Sequence, residues 1–142
     1  MDLSYTDFKD TKLLEKLGAL YKLNLSRTNV EDISGISRLR KLSTLDLSLT
    51  LTDNLKSLSS LAALRSLKVN DTKVKDLAPL SRCRLLYDLD ISKTEVSSLK
   101  ALQRMKNLSS LCVRASNVSD EEIAGLKKKL PNLSIVEPII SQ

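Results

Sequence analysis

A leucine recurs every 22 residues along this chain, at Leu20, Leu42, Leu64, Leu86, Leu108 and Leu130. The same step holds at Leu23, Leu45, Leu67, Leu89, Leu111 and Leu133, and two residues further on at Leu25, Leu47, Val69, Ile91, Val113 and Ile135. A hydroxyl column follows (Thr28, Thr50, Thr72, Thr94, Ser116), then a mostly valine column (Val30, Thr52, Val74, Val96, Val118). A fixed period of about 20–50 residues marks a solenoid, in which each unit packs only against its neighbours.

Each unit reads L-x-x-L-x-L-x-x-T-x-V. The L-x-L alternation predicts a short strand with one buried face. Apolar residues then come at threes, as in Ile33, Ile36, Leu39 and again in Leu77, Leu80, Cys83. That spacing predicts a 3₁₀ or very short helical return. Stacking the units lays their strands side by side, about 4.8 Å apart, as a parallel sheet.

These residues resemble the leucine-rich-repeat family, in the 22-residue class shared by bacterial internalins and a regulatory subunit of type 1 protein phosphatase. The resemblance covers nearly the whole chain. It implies an α/β solenoid with a curved parallel sheet on the concave face and short returns on the convex face. It also implies a non-catalytic module that binds other proteins. The hydroxyl column departs from the family, most of whose members carry Asn there to bond backbone groups of adjacent turns. A hydroxyl has fewer donors and can make part of such a ladder, so less tightly bound turns are expected.

The period divides the chain into a partial unit 1–19, full units 20–41, 42–63, 64–85, 86–107 and 108–129, and a terminal strand and tail 130–142, all in one domain. Residues Met1 to Phe8 align with Leu23 to Val30, so the first strand is under way at residue 1. Two readings fit this: a piece of a longer array, or a strand edge open to a partner or a second copy. At the other end, Ser119-Asp120-Glu121-Glu122 reads as a capping box, Ile123, Leu126 and Leu130 have helical spacing, and Pro131 closes the helix. Leu133 and Ile135 are expected to form a last strand, with Pro138 blocking its extension.

Composition narrows the function. The chain has no histidine, three glycines and two separated cysteines. That removes the usual general base, a glycine-rich phosphate loop and a zinc site, so neither catalysis nor a cofactor is expected. Cys83 falls in a core column and Cys112 on the outward side of a strand, which argues against a disulfide. No signal-peptide pattern or membrane-length apolar run occurs, and an intracellular location, cytoplasmic or nuclear, is expected. The N-x-S/T sequons follow from the repeat itself, which generates Asn-Leu-Ser.

The x positions of each strand project from the concave face. The candidate partner-binding residues are therefore Lys22, Asn24, Arg27, Asp46, Leu49, Lys68, Asn70, Asp88, Asp90, Lys93 and Arg114. Asp46, Lys68 and Asp90 form an alternating column, readable as a solvated charge ladder or as a polar hot spot. Leu49, with Leu51 beyond it, reads as an apolar anchor or as a register shift that buries Leu51 in place of Thr52. Tyr21 and Tyr87 stand one position before their strands, as interface anchors or as packing against the next unit.

The concave set balances five basic residues (Lys22, Arg27, Lys68, Lys93, Arg114) against five acidic ones (Asp2, Asp46, Asp71, Asp88, Asp90). The net charge of +6 therefore lies on the convex returns and ends, in clusters at Arg38/Arg40/Lys41, Arg82/Arg84, Lys100/Arg104/Lys106 and Lys127 to Lys129. The expected function is binding of a protein partner through the concave face. The alternatives are a basic convex surface for nucleic acid or anionic membrane, and a purely architectural scaffold segment. Nucleic acid is disfavoured because the basic returns lack interleaved aromatic platforms.

Overall fold

The computed structural model describes residues 1–136, in which strand and return alternate as a repeated coil. Six strands among these residues make one parallel sheet in chain order: β1 Lys22–Asn24, β2 Thr44–Asp46, β3 Ser66–Lys68, β4 Asp88–Asp90, β5 Ser110–Cys112 and β6 Ser134–Val136. From β1 to β5 the register is the sequence period itself, Leu23 beside Leu45, Leu67, Leu89 and Leu111. Asp2 bridges in parallel to Asn24 ahead of β1, so the strand alignment at residue 1 holds. The central leucine of every strand from β1 to β5 and the second apolar residue of L-x-L are buried.

The returns are 3₁₀ helices at Thr11–Leu14, Ser34–Arg38, Lys56–Ser60, Ala78–Arg82 and Lys100–Leu102. Their apolar triplets face the core, with Ile33, Ile36, Leu39, Leu77, Leu80 and Cys83 all buried. Burial pushes the Cys83 thiol up to about 11, which keeps it protonated and unreactive, and both cysteines are free.

A second 22-residue column starts each return. Asp10, Asp32, Asn54 and Asp76 each accept the backbone N–H two residues on, at 3.1, 2.8, 2.8 and 2.8 Å, and Ser98 does so at 3.3 Å. Short polar side chains suit this local turn, which supplies an acceptor to an N–H the helix start leaves over. The Ser34 N–H, aided by the Ser34 hydroxyl, holds the Asp32 carboxyl below its usual value.

The hydroxyl column does not bridge adjacent turns even in part. Thr6, Thr28, Thr50, Thr72, Thr94 and Ser116 each donate to the carbonyl three residues back, at 2.6–2.7 Å. Each hydroxyl of this column is taken up by its own turn, so adjacent turns are joined there by backbone instead. Arg27 N–H donates to the Ser48 carbonyl at 3.0 Å, Leu49 to Asn70 at 3.0 Å and Lys93 to Arg114 at 2.7 Å.

Those same donors sit in left-handed backbone. Tyr5, Arg27, Leu49, Asp71, Lys93 and Ala115 have φ of 52–58°. This conformation costs a non-glycine residue about 1–2 kcal/mol, and glycine escapes the cost while losing some chain entropy. Ala115→Gly is therefore expected to stabilise the fold by about 0.5–1 kcal/mol, read as a raised urea midpoint at constant m. Ala124→Gly, inside the helix, should lose about 1 kcal/mol in the same assay.

The last unit departs from the period. Its return is an α-helix, α1 (Asp120–Lys129), with Ser119 capping the Glu122 N–H at 3.2 Å. Half of the expected capping box is missing, because the Glu122 carboxylate instead takes the Leu99 N–H of the previous return at 2.8 Å. Ser110 pairs with Ser134 and Leu111 with Ile135, a step of 24 residues and not 22. The cause is helix geometry: an α-helix rises about 1.5 Å per residue against about 2.0 Å in 3₁₀, so more residues span the same return. The last strand is thus Ser134–Val136, and Leu133, expected beside Leu111, is buried just ahead of it. Pro138 lies outside the described residues.

Candidate functional site

The concave face places all the candidate residues on strands β1 to β5 or on the turns that follow them. Lys22, Asn24, Asp46, Lys68, Asp88 and Asp90 lie within strands; Asn70 and Arg114 follow two residues on; Arg27, Leu49 and Lys93 occupy the left-handed column.

Side-chain geometry sorts these residues by what they are free to do. Asp46 and Asp90 do not form the expected ladder with Lys68: among the described residues no ion pair joins them. Asp46 Oδ1 takes the Ser48 N–H at 2.9 Å and the Ser48 hydroxyl, and Asp90 Oδ1 takes the Ser92 N–H at 2.9 Å and its hydroxyl at 2.6 Å. Asn24 does the same for the Ser26 N–H at 2.9 Å. A carboxylate two residues before an N–H closes its own turn more readily than it reaches a flexible lysine across strands. Asp88 accepts the Ser66 hydroxyl at 3.2 Å, Asn70 donates to Asp71 at 3.1 Å, and Lys93 pairs with Asp71 at 3.7 Å. Lys22, Lys68 and Arg114 are exposed.

The N-terminal half of this face has a distinct form. A hollow of about 240 Å³ lies over β1 to β3, lined by Lys22, Asn24, Thr44, Asp46, Ser66 and Lys68. At the strand starts, Tyr21 is 60% exposed with the Lys22 ammonium 5.7 Å from its ring centroid. At the strand ends, the Tyr5 ring is 74% exposed with the Arg27 guanidinium 5.0 Å from its centroid, and Leu49 follows one coil on. Thr52 is fully buried and Leu51 is half exposed, so no register shift occurs and both leucines stand outside the core. Tyr87 is 47% exposed, so like Tyr21 it presents much of its ring to solvent.

Solved structures share this geometry. The crystal structure of internalin C2 from Listeria monocytogenes matches with a TM-score of 0.88 at 26% identity, over 98% of this chain and 63% of that one. This is a leucine-rich-repeat solenoid. Internalin F of the same organism matches the solenoid at 0.75 and 22% identity, over 99% of this chain and 48% of its own. A leucine-rich-repeat protein of Leptospira interrogans matches at 0.72 and 18% identity, over 92% and 40%. The solenoid thus spans less than two thirds of each of these proteins. No protein-family model and no curated protein matches the sequence.

Tyr5 joins this face although it is not among the candidates named from the strand pattern. Its signal was present, because Tyr5 stands 22 residues before Arg27 in the column of Arg27 and Leu49. Among the described residues no helix is long and apolar enough to cross a membrane, and no cluster of three metal-ligating side chains occurs.

Proposed function

We propose that this leucine-rich-repeat solenoid is a non-catalytic module that docks a protein partner on the N-terminal half of its concave face. The observation that carries this reading is the hollow over β1 to β3 framed at both strand ends by exposed tyrosine–cation pairs, Tyr21 with Lys22 and Tyr5 with Arg27. Tyrosine and arginine are among the residues enriched in interface hot spots, since they combine large apolar area with a polar handle. Leu49 extends the apolar part of the frame.

Within the hollow, Asp46 and Asn24 are engaged by their own turns, whereas Lys68 is exposed and makes no ion pair among the described residues. Lys22 and Lys68 line the hollow against the single carboxylate of Asp46, so its net charge is positive, and an acidic side chain flanked by apolar ones fits best. The likeness to internalin C2 supports the use of the fold as an interaction module.

Affinity capture with the wild type, a Tyr5→Ala/Tyr21→Ala/Lys68→Glu variant and an Arg38→Ser/Arg40→Ala convex control tests the proposal. Captured proteins should weaken by about tenfold or more on the first variant, as loss of a hot spot does, and bind the control normally. The far-ultraviolet circular dichroism of the triple variant should be unchanged, since none of its three side chains holds a turn. Retention of every captured protein by the triple variant would remove the concave site.

A further inference from the structure

The excess positive charge of the returns is not one stripe. The positions equivalent to Arg38 read Ser60, Arg82 and Arg104; those equivalent to Arg40 read Ala62, Arg84 and Lys106. The neutral coil at Ser60 and Ala62 parts the Arg38/Arg40 cluster from the rest. Beyond it, two adjacent coils present the same turn, with Arg84 N–H on the Arg82 carbonyl at 3.0 Å and Lys106 N–H on the Arg104 carbonyl at 3.0 Å. The Asn107 amide donates to the Arg84 carbonyl at 2.9 Å and ties the two coils together. Between them lies a groove of about 750 Å³ lined by Arg82, Arg84, Lys100, Arg104 and Lys106, with no carboxylate among the described residues that line it.

We propose that this groove binds a small ligand bearing two or more adjacent phosphate groups. Stacking of the coils does not require the cations, because Ser60 and Ala62 fill the same places one unit earlier. Clustered like charges oppose one another unless an anion joins them. Three guanidiniums offer planar forks that take phosphate oxygens in pairs, and the two lysines add point charges. The groove falls in the size range of small-ligand sites, about 300–1,000 Å³. One feature opposes a nucleic-acid strand: the groove walls offer no aromatic ring for bases to stack on.

The probe is inorganic tripolyphosphate, titrated calorimetrically into the full chain at near-physiological salt. Saturable binding is expected, weakened about tenfold or more, or about 1.4 kcal/mol, by Arg82→Ser/Arg84→Ala/Arg104→Ser/Lys106→Ala. These replacements copy residues the neighbouring coil already carries or their small equivalents, and a thermal melt verifies folding. Should the quadruple variant melt early, Arg84→Ala/Lys106→Ala carries the comparison. Arg38→Ser/Arg40→Ala should bind as the wild type does. No saturable heat, equal binding by the groove variant, or equal heat from sodium sulfate at matched ionic strength overturns the site. Duplex RNA binding that depends on these four residues and that tripolyphosphate does not displace overturns the small-ligand assignment. The groove lies on the returns, away from the concave sheet, so either reading can fail without the other.

Discussion

Gly35→Ala should destabilise the fold by about 2–3 kcal/mol, an overpacking cost, although it adds a single methyl group. A Cβ at Gly35 would collide with the Thr11 carbonyl and the Lys12 nitrogen, both backbone, so no side chain can swing aside. The approach is this close because buried Thr11 pins the first return to the second. Its hydroxyl donates to the Asp32 carbonyl at 2.9 Å and accepts the Gly35 N–H at 3.1 Å. Equivalent positions in later returns are Ser57, Pro79 and Ala101, so the demand for glycine belongs to this one contact and not to the repeat. Urea unfolding should show the loss, and hydrogen exchange should place it first at residues 11–14. A change within about 0.5 kcal/mol, the usual range for an unconstrained surface substitution, would show that the two returns are not packed so tightly.

Leu67→Ala should cost more, about 3–4 kcal/mol, within the range for truncating a fully buried leucine. Leu67 is wholly buried on the central strand β3, between Leu45 and Leu89. In a solenoid the stability is a sum of unit terms and nearest-neighbour interfaces. A cavity at β3 weakens the interfaces on both sides at once, so the two halves of the array should begin to unfold separately. The expected signature is a lower midpoint with a reduced apparent m, the mark of lost two-state behaviour. Leu133→Ala, at the far end where one neighbour is absent among the described residues, should cost less and leave m unchanged.

The strands and returns were legible because period two and period three arise from geometry that every residue in a unit shares. Leu23 and Leu45 could be paired from sequence since each lies 22 residues from the next. The last pairing could not, because the leucine columns continue through Leu130 and Leu133 while the helical return consumes two more residues. The left-handed column was silent for a different reason. Tyr, Arg, Leu, Asp, Lys and Ala share no chemistry that announces a positive φ, and none is glycine. The starting column of Asp10, Asp32, Asn54 and Asp76 was readable and simply lay outside the leucine frame. On the concave face, alternation told which side chains point outward but not which are engaged. Asp46 and Lys68 are neighbours by register, yet Asp46 turns to Ser48.

The hydroxyl of each Thr28-type residue answers a carbonyl of its own turn and asks nothing of the next coil. An asparagine ladder would oblige each new coil to bring a matching partner on both sides. Here a tandem duplication of 22 residues arrives with its turn already satisfied and needs only a neighbour's backbone to dock against. Such an array can lengthen or shorten by whole coils, and its exposed positions can diverge coil by coil, as the neutral Ser60 and Ala62 beside the arginines of the next unit already have.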